Sequence, residues 1–325
     1  MHPKAGTILS LFRTEDRYIS GEHLSRELGV SRTAVWKHIS ALRNAGYCID
    51  AMPSRGYRLI SSPDSIEIHE VRAYLDSSRI GAQLEYLKAT TSTNADAFRL
   101  AEDGAIEGTV VLADSQTGGK GRRGRIWSSP AGVNLYCSVV LRPSVMPHEA
   151  PQLTFISAVA VARAIELTTK LTPEIKWPND LLISGKKVAG LLNEMSAETD
   201  GINFVILGIG VNLNMTGNQF PDDLRQPATS LLLESGESVD RSRFTAIMLN
   251  ELDRLYTDFL AHGFGPVREE WQQRCNANGR QVIVSDSGTD CTGGRFIGID
   301  VDGALLLRSD DNVLHRITCG DVRVI

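Results

Sequence analysis

The sequence predicts an α+β protein in three parts, and three observations carry that prediction. The first 62 residues read as short helices followed by a hairpin. The middle interleaves β-rich runs, such as Thr109-Val110-Val111-Leu112-Ala113, with helical stretches at Pro151 to Leu167 and Arg243 to Leu260. From about Arg280 onward only short strands remain, with turn residues between them. A chain of 325 residues has room for roughly two or three domains of about 100–200 residues each. Its hydrophobic share of 42% supplies packed cores, which excludes disorder as its class.

In the first part, Ile8, Leu9 and Phe12 begin an amphipathic pattern, and Ser20-Gly21-Glu22 opens a short helix to about Leu28. Gly29-Val30 makes the turn. Ser31 can cap a second helix, Arg32 to about Asn44, by meeting a free N–H of its first turn. Val35, Ile39 and Leu42 form the apolar stripe of that helix. Thr33, Lys37, Ser40 and Asn44 project from the opposite side, with Trp36 and Arg43 on the flanks. Then Tyr47–Ala51 and Gly56–Leu59 alternate about Met52-Pro53-Ser54-Arg55, a hairpin with a basic tip. Together these make a winged helix-turn-helix of residues 1–62, a DNA-binding arrangement. The residues expected at DNA are Ser31, Arg32, Thr33, Trp36, Lys37, Ser40 and Asn44 on the helix, with Arg55 and Arg58 on the wing. The rival reading is a helical interaction domain with solvated polar faces. Charge favours DNA. Of 34 Lys/Arg and 39 Asp/Glu, nine and five fall in residues 1–62, leaving 25 and 34 for the rest. Ser61-Ser62-Pro63-Asp64 reads as a linker before a short helix, Ser65 to Leu75.

Other classes find little support. The five cysteines are scattered, odd in number and without a C-x-x-C pair, which argues against a disulfide framework or a zinc site. No apolar run is expected to approach the roughly 18–20 residues of a membrane span. Phe155 to Ile165, interrupted by Ser157 and Arg163, reads as a buried helix. MHPKAGTILSLFRTED lacks a secretory apolar stretch, so a cytoplasmic protein without a membrane is expected.

The stretch GGKGRRGR at 118–125 contains Gly119-x-Gly121-x-x-Gly124, the spacing of a dinucleotide fingerprint. A strand precedes it, but Pro130 and Gly132 follow where a helix should receive a pyrophosphate, and no acidic residue lies about 20 positions on. A P-loop fails too, since Gly121 stands where Ser or Thr is needed. Lys120, Arg122, Arg123 and Arg125 repel one another unless an anion gathers them. Composition leaves two readings open: a loop that orders over a phosphate-bearing ligand, or a flexible basic surface loop. Thr90-Thr91-Ser92-Thr93-Asn94, between a strand and a helix, suits a small neutral ligand with amide-like donors and acceptors, or equally a helix cap. EIKWPNDLLISGKKVAGLLNEM reads as strand, corner, hairpin and strand, with Lys176 and Lys187 able to converge on one anionic centre. FVILGIGVNLNM reads as a buried strand, Phe204 to Leu207, ending in glycines that admit close backbone approach, with Asn212 beyond.

Taken together, Ser92-Thr93-Asn94, Gln116 with GGKGRRGRIW, KWPNDL, GKKVAGLLNE and GIGVN resemble the successive motifs of the bifunctional biotin–protein ligase and biotin operon repressor family. The likeness spans nearly the whole chain. It implies a class II synthetase-like, biotin-ligase-like central domain at 66–272 and a small SH3-like β-barrel at 275–325. It implies ATP and biotin as substrates with Mg²⁺, joined to biotinyl-5′-AMP, followed by transfer to a lysine of the biotin carboxyl carrier protein of acetyl-CoA carboxylase. It further implies operator DNA as a partner and a homodimer when biotinyl-5′-AMP is bound. By motif match, Lys187 and Arg122 are the catalytic cations. Ser92, Thr93, Asn94, Gln116, Lys120, Gly121, Arg122 and Lys187 hold biotin. Arg122, Trp127, Lys176 and Asn212 serve ATP, and Asp180 is the candidate for Mg²⁺. Lys120 stands where the family's loop usually has Arg, which keeps the charge and loses the planar fork. Two rivals remain: a lipoate-type ligase, and a biotin-sensing transcription factor without ligase activity.

Overall fold

The cap foreseen at Ser31, and a second at Ser20, start two of the helices in the first compact unit, Met1–Tyr74, of the computed structural model. Residues 3–15, 17–199, 201–285 and 291–325 are described; Met1, His2, Asp16, Asp200 and 286–290, including the end of the expected QVIVSD strand, lie outside them. In chain order this unit holds α1 (Pro3–Thr14), α2 (Gly21–Leu28), α3 (Arg32–Asn44), β1 (Cys48–Met52), β2 (Gly56–Ser61) and α4 (Ile68–Arg72). Ser31 Oγ accepts from Ala34 N at 3.2 Å, and Gly29 ends α2 at φ 60°, a left-handed position that glycine occupies without a steric penalty. Ile8, Leu9, Phe12, Leu24, Val35, Ile39 and Leu42 interlock as one buried core. The β1–β2 hairpin is antiparallel, and Ile19 bridges onto Tyr57 beside it. A Cβ on Gly56 (φ 112°) would lie 2.1 Å from Ile19 O, so only glycine allows that approach. The helix expected over Ser65 to Leu75 forms only as α4. Its Glu70, 1% exposed, accepts from Tyr47 Oη and pairs with Arg13.

The second unit, Leu75–Ile325, is built on a mixed sheet. Its elements are β3 (Leu84–Leu87), α5 (Thr93–Glu102), β4 (Val110–Ala113), β5 (Leu135–Leu141), α6 (Gln152–Thr168), β6 (Glu174–Lys176), β7 (Asp180–Ile183), β8 (Lys186–Glu198), β9 (Gly201–Val211), α7 (Leu231–Ser235), α8 (Arg241–His262) and α9 (Gly265–Arg274). The strand order is β3-β4-β5-β9-β8-β7-β6, with β3 parallel to β4 and the other pairs antiparallel. α5 packs Ala97 and Ala101 on Val111, Val140, Phe204 and Ile206 of β4, β5 and β9. α6 lies on β6–β9, with α8 and α9 against it. The stretch Pro147–Thr168 corrects the expectation about apolar runs: by length and composition it is long enough to cross a membrane. Its apolarity has a local cause, since 72% of its most apolar window is buried inside the fold. α7 and α9 were not foreseen from the sequence.

Beyond α9 come β10 (Gln281–Ser285), β11 (Cys291–Ile299), β12 (Leu305–Arg308), β13 (Leu314–Ile317) and β14 (Asp321–Val324), paired as one antiparallel sheet in the order β13-β12-β11-β10-β14. Trp177, at a cis Trp177–Pro178 corner, donates its indole N–H to Gly303 O of this sheet's β11–β12 turn at 3.1 Å.

Candidate active site

Strand parity lays a glycine floor. Gly190 of β8 pairs with Gly210 of β9, and Gly208 lies two residues along the same face. A Cβ on Gly210 would come 2.7 Å from the Trp127 indole, one on Gly190 3.0 Å from the same ring, and one on Gly208 2.3 Å from Asn94 Oδ1. The glycines expected to end a strand at Leu207 are therefore inside β9. They let an indole and an amide rest on the sheet.

Cations gather beside that floor. Lys187 Nζ sits 5.4 Å from the Trp127 ring centroid and pairs with Asp180 Oδ1 at 2.6 Å. The two side chains are 21% and 14% exposed, so their attraction is screened less than at an open surface. Lys176 Nζ donates to Gln226 Oε1 at 3.1 Å, and Gln226 Nε2 donates to Asp180 Oδ2 at 3.0 Å. The two lysines occupy β6 and β8 on either side of β7, and both converge on Asp180, one directly and one through Gln226.

The basic loop closes over itself. Trp127 N donates to Gly119 O at 2.9 Å, Gly121 N donates to Arg125 O at 2.7 Å, and Arg122–Gly124 makes a 3₁₀ turn with Arg123 at φ 57°. A Cβ on Gly119 would lie 2.5 Å from Trp127 O. Arg122 Nη1 donates to Asn179 Oδ1 at 3.3 Å, Arg125 pairs with Asp321 of β14, and Lys120 is exposed. Burial holds the Arg122 guanidinium below its usual range despite the nearby Asp321 and Asp180. Burial alone would raise Asp321, but its hydrogen bond from Arg125 and the charges of Arg125, Arg122 and Arg123 hold it below the usual carboxylate range.

At the start of α5, Ser92, Thr93 and Asn94 are buried. Thr93 N donates to Gln116 Oε1 at 2.8 Å, Thr93 Oγ1 lies 3.1 Å from the same oxygen, and Gln116 Nε2 donates to Ser129 Oγ at 3.0 Å. Ser138 Oγ lies 2.8 Å from Thr93 Oγ1 and 2.6 Å from Asn94 Oδ1. The Ser92 side chain makes no capping bond. Asn212 is drawn inward: Nδ2 donates to Thr229 O at 3.0 Å, and Oδ1 accepts from Asn134 Nδ2 at 3.4 Å. Thr229 N in turn donates to Lys187 O at 2.9 Å, so Asn212 supports the strand edge that carries Lys187.

Sequence reasoning missed Gln226, Ser129, Ser138, Asn134 and Glu194. Gln226 lies in a segment without periodicity, while Ser138 and Glu194 sit in strands, where alternation alone marks the face but not the neighbour. A further cavity of about 480 Å³ opens beside Arg122 and Asn179, walled by Phe155, Trp177, Leu191 and Val205. Among the described residues no group of three or more His, Cys, Asp or Glu is placed to hold a metal ion.

In the first unit, Thr33, Trp36, Lys37 and Asn44 are exposed along α3, with Ser40 half-buried. Ser31 is spent as the cap, and Arg32 pairs with Glu22 at 2.6 Å. Arg55 is exposed at the hairpin tip with its guanidinium 5.1 Å from the Tyr18 ring centroid, and Arg58 is half-buried in β2. Arg43, expected on a flank, instead ties α3 to Ile49 O through Nε and Nη2, at 3.0 and 2.6 Å.

Three family signatures match the chain: "HTH domain" over residues 5–58, "Biotin/lipoate A/B protein ligase family" over 86–212, and "Biotin protein ligase C terminal domain" over 278–324. The chain is 41% identical over 319 residues to the "Bifunctional ligase/repressor BirA" of Bacillus subtilis (strain 168), covering 98% of this chain and 97% of that protein. It is 32% identical over 294 residues to the protein of the same name from Escherichia coli (strain K12), covering 90% and 88%. Among solved structures, "Biotin protein ligase from Aquifex aeolicus in complex with biotin and ATP" aligns with a TM-score of 0.64 at 29% identity, covering 75% of this chain and 99% of that one.

Proposed function

The chain belongs to the family of bifunctional biotin ligases and repressors, and from that premise we propose how its own residues do the work. It is a biotin–protein ligase that joins biotin and ATP to biotinyl-5′-AMP, and a helix-turn-helix repressor. One observation carries the assignment of chemistry to residues: Lys187, paired with Asp180, meets Trp127 of the basic loop over the glycine floor, and Arg122 of that loop lies within electrostatic reach of the same Asp180.

When the biotin carboxylate attacks the α-phosphorus, two anions meet and negative charge grows on the phosphoryl oxygens. Fixed cations lower that barrier because they need no reorganisation as the charge appears. Lys187 exchanges Asp180 for the carboxylate and phosphate together, Arg122 reaches the phosphate, and pyrophosphate leaves. Ser92, Thr93, Asn94, Gln116, Lys120 and Gly121 enclose the vitamin. Trp127 lies against adenine, while Lys176 and Asn212 brace the nucleotide side. The closed loop keeps water from the mixed anhydride until the acceptor amine of the carboxyl carrier protein arrives. Asp180 fits Mg²⁺ as a single carboxylate, the way that ion is usually held beside substrate phosphates and water. It would screen phosphate charge there.

We assign residues 1–62 to operator binding, 66–272 to catalysis and 275–325 to the C-terminal domain. On DNA, Thr33, Trp36, Lys37, Ser40 and Asn44 face base edges, and Ser31, Arg32, Arg55 and Arg58 face phosphates. The adenylate-bound chain forms the homodimer that a two-fold operator requires, and the protein works in the cytoplasm. The test is incubation with ATP and either biotin or lipoate, with mass spectrometry of the products. Biotinyl-5′-AMP is expected, and an adenylate formed from lipoate alone would overturn the reading.

A further inference from the structure

Resting on the biotin-ligase reading, we infer that Glu194, without touching the vitamin, sets the hydrogen-bond polarity of the pocket that receives its cyclic urea. Glu194 of β8 shares a face with Gly190 and Leu192. Asn94 Nδ2 donates to Glu194 Oε2 at 2.7 Å and to Leu192 O at 3.3 Å. Both partners can only accept, so the amide nitrogen must point to them and Oδ1 must point the other way. There it meets Ser138 Oγ at 2.6 Å. An amide oxygen cannot donate, so the single Ser138 proton belongs to this contact. Ser138 Oγ can then meet Thr93 Oγ1, 2.8 Å away, only as an acceptor. The other neighbour of the Thr93 hydroxyl is Gln116 Oε1 at 3.1 Å, also an acceptor. That oxygen already receives Thr93 N at 2.8 Å, and two hydroxyl oxygens 2.8 Å apart with no proton between them would repel, so the Thr93 proton goes to Ser138 and the Thr93 oxygen's lone pairs are left to accept.

The chain Glu194, Asn94, Ser138, Thr93 therefore presents an acceptor and suits a ligand that offers N–H groups. A cyclic urea does so; a dithiolane ring does not. Glu194 is a positioning residue, and glutamine in its place breaks the logic because its own amide can donate. Asn94 could then turn over, trading its long 3.3 Å bond to Leu192 O for a donor from the introduced amide, aim N–H at Ser138, and release the Ser138 proton toward Thr93.

The experiment titrates full-length wild type, E194Q, S138A and the double variant with biotin and with a cyclic carbamate analogue in which one ring N–H is replaced by oxygen. Wild type should prefer biotin by on the order of tenfold to a hundredfold, the effect of a buried acceptor left without its donor. E194Q should weaken biotin by about that factor and bring the two ligands within about threefold of each other. Its kcat at saturating biotin and its KM for ATP should stay within about twofold of wild type, which a general loss of structure would not spare. The double variant should be no worse than the weaker single one, because both act along one chain. If E194Q fails to fold, the same loss of preference in S138A carries the test. Undiminished preference for biotin in a folded E194Q, or in S138A, overturns this inference and leaves the ligase reading intact. Wild type that binds no biotin overturns both.

Discussion

At the scale of single residues, the proposed site depends on a lysine whose carboxylate partner lies on the neighbouring strand and is itself held by an unpatterned segment. Asp180 occupies Lys187 in this structure, and Gln226 ties Lys176 to the same carboxylate. Replacing Lys187 with Ala should slow adenylate formation by about a hundredfold to a thousandfold, the size of losing one preorganised charge-stabilising group. Pyrophosphate exchange measures it, and unchanged circular dichroism should accompany the loss. Near-normal exchange would remove Lys187 from its role. Gly208→Ala tests the floor, since the added Cβ would lie 2.3 Å from Asn94 Oδ1 and must displace that amide. Biotin affinity should fall while the fold persists, read by calorimetry beside a thermal melt. Two thiols should stay silent toward a thiol-specific reagent at neutral pH. Cys137 is buried with its thiol pushed up by desolvation, and the same cause pushes Cys275 up to about 12. Labelling should be confined to Cys48, Cys291 and Cys319, which are exposed.

Among elements, α3 and the wing were legible because caps, apolar stripe and turn glycine all encode the same local geometry. Arg55→Ala should weaken operator and unrelated DNA almost alike and reduce the salt slope by about one, as expected for a phosphate contact. A loss confined to operator DNA would place Arg55 on a base instead. Strand β9 was read too short. Alternating glycines look like a strand end in sequence, but here they lie on the face approached by Trp127 and Asn94, and the ladder continues to Val211. α6 is the buried helix that the sequence indicated, in an apolar stretch longer than expected. Periodicity cannot separate a helix buried on most sides from one apolar enough for lipid, and burial beneath neighbouring helices decided it.

For the second unit as a whole, the C-terminal sheet reaches the basic loop. Arg125 pairs with Asp321 of β14, and Trp177 donates to Gly303 O. Because the Asp321 carboxyl is held below the usual carboxylate range, the anchor is complete above about pH 4 and is lost as pH falls through the depressed value. Asp321→Asn should mimic that loss at neutral pH. Trypsin should then cut among Arg122, Arg123 and Arg125 faster than in wild type, with ATP and biotin restoring protection. Equal cutting rates would leave the loop anchored elsewhere.

By itself the sequence determined the helix-turn-helix, the α+β class and the order of the motifs. Each of these is a local matter of periodicity, capping or residue type at fixed spacing. The tertiary structure alone decided that Lys176 and Lys187 converge on Asp180, that Asn212 turns inward, that Glu194 orients Asn94, and that a carboxylate from the last strand holds the basic loop. Those pairings join residues from 7 to 196 positions apart. Such contacts arise from strand register and packing, which no local pattern records.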